Sequence, residues 1–217
     1  MSSMRYFSWY PNGSIIIYGT QYAVGGVIRG IPYTQNADTT KADFISSPTM
    51  QYVYGGNFYS FRQPSGDVGN DCTSAVAISW AAGGSSINVS TVYTVQMLAA
   101  VKSTQNRMAK RGTYSTGYTY TTGMVDQFAS DPNAYDLYCT LVPEDACFYR
   151  YYDKAQGRMR GHAILITGVN LSTKSVTYIE QIDGDLVVKN NSSWTSGTKT
   201  FQQLTNSNYV PIRPTDI

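Results

Sequence analysis

An α+β fold is what this sequence predicts, on three observations. Helical signals gather in the first half, at 71–82 and 91–101. Short β-rich runs divided by Asn, Gly and Ser turns fill the last third, at 162–169, 175–181, 186–189 and 209–212. No βαβ alternation joins the two, so N-terminal helices packed on a C-terminal antiparallel sheet are expected, not a parallel sheet.

Taken in order, Ser14–Tyr18 (SIIIY) reads either as a short strand or as the start of a helix running on through Tyr22 to Ile28. Pro32 biases Ile31 to extended geometry and breaks whatever precedes it. Residues 34–69 are loop-like in composition, rich in Gly, Ser, Asn and Pro without periodicity; that is long for a structureless connection, so a functional or substrate-facing insertion is expected. Asp71 is a good N-cap for a helix DCTSAVAISWAA, and Gly83-Gly84 stops it. Val76 and Trp80, four apart, put one face of that helix toward a core. A second helix is expected at Thr91–Val101 and a short one at Met124–Ala129, with 112–123 a loop or hairpin. No repeat or linker is visible, so the 217 residues read as a single domain, 1–217.

Composition removes several function classes. Charged residues make up 14% of the chain, against about 25% in an average soluble domain. Lys+Arg number 16 and Asp+Glu 14, a net +2 that gives no overall basic footprint, so no nucleic-acid partner is expected. No apolar run is long enough for a membrane span. Aromatics at 13% with low net charge exclude a disordered chain. The wealth of Tyr, Thr, Ser and Asn is associated with proteins of the cell exterior or envelope, although residues 1–11 show no signal-peptide pattern. Three cysteines build no disulfide framework. Cys139 and Cys147 are spaced to bridge, which leaves Cys72 as the odd thiol.

Two residues carry the chemistry. Cys72 is the first residue of the expected 71–82 helix, and His162 is the only histidine, placed at the mouth of the 162–169 strand. A helix N-terminus offers positive partial charge and unpaired N–H groups. It therefore favours the thiolate, which is the nucleophile, and its N–H groups suit a developing oxyanion. An imidazole facing that helix takes the thiol proton and later returns it to a leaving amine. Taken singly, each residue has an ordinary reading: a buried small hydrophobe for Cys72, a strand-edge polar residue for His162. Cys139, Cys147 and His162 fit no common zinc spacing, so no metal and no cofactor are expected.

The local contexts match a known pattern. Gly69-Asn70-Asp71-Cys72-Thr73-Ser74 resembles the Asp-Cys-Ser-Gly nucleophile motif of bacterial cell-wall cysteine peptidases of the NlpC and CHAP amidase types, compact papain-like enzymes. Gly30-Ile31-Pro32-Tyr33 is similar to the Gly-x-Pro-Tyr element of the NlpC type, where the Tyr lines the oxyanion site. Leu141-Val142-Pro143-Glu144-Asp145 resembles the Leu-x-Pro-Gly-Asp lead-in to the catalytic strand. Gly161-His162-Ala163 resembles that strand's start, and Tyr178-Ile179-Glu180-Gln181 the next strand of CHAP enzymes, whose Glu orients the His. The ordered set spans roughly residues 27 to 182. Departures exist: Lys174 stands near where a second His is usual, Glu144 where Gly is usual, and long spacings mark 34–69 and 105–137 as insertions.

The resemblance implies a papain-like fold and a cysteine hydrolase that cleaves an amide bond, in stem peptides or cross-bridges of peptidoglycan. Cys72 is then the nucleophile, His162 the base and acid, and Glu180 the orienting group, with Gln181 and Asp183 as substitutes. Tyr33, Gln35 and Asp71 are the candidates around the oxyanion. Two alternatives stay open. One is a catalytically silent surface module of the same fold; the other is an acyl transferase using the same residues. Nothing in the sequence fixes the oligomeric state.

Overall fold

The computed structural model describes residues 1–24, 26–47, 50–53, 58–61, 64, 66, 68–102, 107–112, 133–183 and 192–217. The architecture is α+β. Its contacts gather into two compact units, Met1–Ala75 with Gln181–Thr195, and Val76–Glu180 with Ser196–Ile217.

The first unit is built on strands. β1 (Ser8–Pro11) pairs antiparallel with β4 (Ile28–Arg29) and parallel with β6 (Phe58–Phe61), and β6 pairs antiparallel with β5 (Met50–Val53). Ser14–Tyr18 resolves as strand: β2 (Ile15–Ile17) forms a hairpin with β3 (Thr20–Tyr22). Tyr18 and Gly19 both take positive φ in that turn. Trp9 is wholly buried against Tyr22 and Phe44, with ring centroids 5.5 and 5.8 Å away.

The loop-like reading of 34–69 is corrected. The stretch carries a helix, α2 (Lys41–Ser46), and the strands β5 and β6. Thr40 and Asp43 make a reciprocal capping box at the start of α2. That signal, followed by Phe44-Ile45, stands in the sequence. The low periodicity concealed it because α2 has under two turns and buries only Phe44. The helix-first, sheet-later order is corrected as well: after a single helical turn, α1 (Ser2–Arg5), four strands precede α2.

The second unit holds a six-stranded antiparallel sheet in the order β11-β10-β9-β8-β12-β7. These strands are β7 (Met108–Lys110), β8 (Ala146–Asp153), β9 (Arg158–Asn170), β10 (Ser175–Gln181), β11 (Trp194–Thr200) and β12 (Val210–Pro214). The 175–181 strand has its expected bounds, whereas His162 lies well inside β9 and not at its mouth. Calls for 113–123, 124–129 and 186–189 fall outside the described residues.

α3 (Cys72–Ala82) begins where its cap predicts. It ends in a Schellman arrangement: Ser85 N–H donates to Trp80 C=O, Gly84 N–H donates to Ala81 C=O, and Gly84 takes φ +103°. α4 (Thr94–Lys102) follows a 3₁₀ turn at Val89–Thr91, which shortens the expected Thr91–Val101 helix at its start. No helix among the described residues is long and apolar enough to cross a membrane.

Candidate active site

The first unit presents Cys72. Gly69-Asn70 and Pro32-Tyr33-Thr34 lie side by side in a parallel bridge, Tyr33↔Asn70. Asn70 N–H donates to Pro32 C=O (3.1 Å), and Thr34 N–H donates to Asn70 C=O (2.9 Å). Thus the two motifs 39 residues apart in the chain are adjacent in space. Gly69 is required for it: φ is +143°, and a Cβ there would collide with Pro32 O. Asn70, wholly buried, accepts the Thr39 N–H on its Oδ1 at 2.6 Å.

Asp71 acts as the N-cap of α3. Its Oδ1 accepts from Thr73 N–H (2.9 Å) and Ser74 N–H (2.7 Å), and from both hydroxyls (2.8 and 2.9 Å). Asp71 N–H in turn donates to Ser74 Oγ at 2.9 Å. Of the four orphan N–H groups at the start of the helix, three are thereby taken, and the one left belongs to Cys72 itself. Asp71 is therefore a helix cap, its Oδ1 engaged by its own turn. Cys72 is 6% exposed.

Tyr33 is buried, and Gln35 Nε2 donates to its Oη at 3.0 Å. Burial pushes the Tyr33 phenol well above its ordinary range. The neighbouring Cys72, Asp71 and Asp183 add to that, while the Gln35 hydrogen bond pulls the other way. Tyr33 consequently keeps its proton as a donor through neutral pH. Gln35 and Asp183 are exposed. Gln181 is wholly buried, and its Nε2 donates to Ile31 O (3.0 Å), Pro32 O (2.9 Å) and Ser193 Oγ (3.3 Å). It fastens the backbone that leads into Tyr33.

The second unit presents His162 and Glu180. His162 Nε2 and Glu180 Oε2 lie 2.7 Å apart, each side chain 13% exposed. A β-bulge makes the pair. Thr177 faces Gly168, but Tyr178 faces Ile166, so β9 carries one extra residue there. Continued from Tyr178↔Ile166 and Ile179↔Leu165, the register sets Glu180 opposite Ile164, on the face of His162. Without the bulge Glu180 would pair with Leu165 and point to the opposite face.

Across β8, Tyr149 pairs directly with His162, their ring centroids 5.9 Å apart. Tyr209 meets Tyr149 edge-on at 5.0 Å. Next to His162, Gly161 packs against α4: a Cβ there would lie 2.6 Å from Thr94 Oγ1. Tyr149, Tyr209 and Asn70 are the supporting residues that sequence reading missed. Tyr149 offered a signal, the aromatic-rich FYRYYD run; Asn70 offered only its place beside Asp71.

Cys139 and Cys147 are free thiols, as is Cys72. Cys147 is wholly buried in β8, and burial pushes its thiol well up. Among the described residues, no cluster of three His, Cys, Asp or Glu side chains is placed to hold a metal ion.

No family model, curated protein or solved structure matches this chain. The functional reading therefore rests on the residues.

Proposed function

We propose that the chain is a cysteine hydrolase of papain-like fold that cleaves an amide bond in peptidoglycan stem or cross-bridge peptides, at the cell exterior or envelope. The observation that carries it is the 2.7 Å pair between the only imidazole and Glu180. With Nε2–H donated to the carboxylate, Nδ1 is the basic nitrogen. Nδ1 takes the Cys72 proton as Sγ attacks the carbonyl carbon, then gives it to the departing amine. Water, deprotonated by the same nitrogen, releases the acyl group. The Cys72 N–H, left over by the Asp71 cap, and the protonated Tyr33 phenol are the oxyanion donors. Losing one such donor costs on the order of 2.7–4 kcal/mol of transition-state stabilisation.

A further support is the turn before β8. Asp145 N–H donates to Val142 C=O at 3.2 Å, and Glu144 takes φ +78°. The turn thus has the left-handed third residue that Gly supplies in the motif it resembles.

The low exposure of Cys72 favours a second reading, a silent surface module of the same fold. One experiment separates the two. Alkylation of Cys72 by iodoacetamide at mildly acidic pH is expected to be fast in the wild type and slow in His162→Ala, because the imidazole takes the thiol proton. Equal rates in the two proteins would sink the enzymatic reading. Purified peptidoglycan supplies the activity arm: new amino groups appear with the wild type and not with Cys72→Ala.

A further inference from the structure

A two-stranded ribbon carries a dense concentration of positive charge. Between 150 and 160 stand Arg150, Lys154, Arg158 and Arg160 against the single carboxylate Asp153, an excess of +3 in a chain whose total is +2. The β8–β9 pairing runs out to Asp153↔Arg158. β12 pairs with β8 only over Ala146–Phe148, and β10 pairs with β9 only as far as Leu165. Among the described residues, the outer half of the ribbon has no strand on either side. Tyr151, Tyr152 and Met159 are 36–39% exposed on it, and every residue from Lys154 to Met159 is exposed.

The ribbon leads to the proposed site. Tyr151↔Arg160 is the pair two residues beyond Tyr149↔His162, on the same face, and the Tyr149 and Tyr151 rings are 5.9 Å apart. Arg160 is held by Asp153 at 3.0 Å, and Arg150 donates to Thr94 Oγ1 at 2.9 Å. Lys154 and Arg158 are the cations exposed toward solvent.

We propose that this ribbon docks an extended, carboxylate-bearing peptide and leads it to His162 and Glu180; this rests on the reading of the chain as an amide hydrolase. A strand edge that no described strand covers offers N–H and C=O groups to an extended backbone. Arg and Lys pair with carboxylates, and the Tyr faces cover the aliphatic stems of the bound side chains. The rest of the chain carries a net −1, so it gives no wider basic footprint for a phosphate backbone.

The test is fluorescence anisotropy of the wild-type protein with a short labelled Glu-rich peptide, its Gln counterpart and a single-stranded oligothymidylate. The Glu peptide is expected to bind about tenfold or more tighter than the Gln one, and to weaken as salt is added. Charge reversal in Lys154→Glu/Arg158→Glu is expected to remove that preference while thermal unfolding stays unchanged, both side chains being exposed. Equal affinity for the Glu and Gln peptides, indifference to the reversal, or tighter oligonucleotide binding would each overturn the assignment. The double variant keeps His162-dependent alkylation of Cys72, so failure of the ribbon reads separately from failure of the hydrolase.

Discussion

Glu144 shows how a single residue carries backbone strain. Its φ of +78° lies where an L side chain crowds the following carbonyl, at about 1–2 kcal/mol. Its useful contacts are main-chain: its N–H donates to Ile166 C=O at 2.8 Å, and its C=O accepts the Trp80 indole N–H at 2.7 Å. Glu144→Gly keeps both, so it is expected to raise stability by about 1 kcal/mol, read from denaturant unfolding. Glu180 is the opposite case: in the proposed mechanism its charge matters more than its shape. Glu180→Gln preserves an acceptor 2.7 Å from Nε2 but not the carboxylate. It is expected to slow mildly acidic alkylation of Cys72 toward the His162→Ala rate, with the fold unchanged by circular dichroism.

At the scale of elements, each candidate residue is aimed by something outside its own motif. The bulge in β9 rotates Glu180 to the His162 face, and Thr94 at the start of α4 sits where Gly161 lacks a side chain. Gly161→Ala would drive a methyl group into Thr94. It is expected to cost about 1–3 kcal/mol and to shift β9 enough to lower the His162-dependent alkylation rate. Thr94→Ser in the same chain removes one of the crowding atoms, the Thr94 methyl 2.7 Å from that Cβ, and should restore part of the loss. In α3 the cap is decisive. Asp71→Ala frees two N–H groups and two hydroxyls and is expected to lower stability by about 1–2 kcal/mol, measured by thermal unfolding.

At the scale of the whole molecule, the C-terminal residues close a long loop within the second unit. Asp216 accepts from Ser85 Oγ (2.6 Å), Ser86 N–H (2.8 Å) and Ser86 Oγ, and pairs with Arg107 at 3.6 Å. The Ser85 bond, then those of Ser86, hold its carboxyl well below the ordinary carboxylate range. On acidification the unfolded chain takes up this proton before the folded one, so the stabilisation is present at neutral pH. It is lost as pH falls below the ordinary Asp value of about 4. Thermal unfolding between neutral pH and pH ~3 should therefore drop less in Asp216→Asn than in the wild type.

Local chemistry was legible because it acts over a few residues. Asp71, the Gly83-Gly84 stop and the β-rich 175–181 run each specify their element within a turn or one pleat, and the structure places them where they were read. The helix and strands inside 34–69 were not legible, since α2 is too short for a period to emerge and β1, β5 and β6 are paired by tertiary contact. The sequence named Cys72 and His162 by their local placement, and Tyr33 and Glu180 through the family resemblance. Only tertiary structure set Tyr33 beside the Cys72 turn across 39 residues, and only a one-residue bulge put Glu180 on the histidine's face. Strand register and long-range bridging are fixed by packing between segments distant in the chain, and no local pattern encodes them.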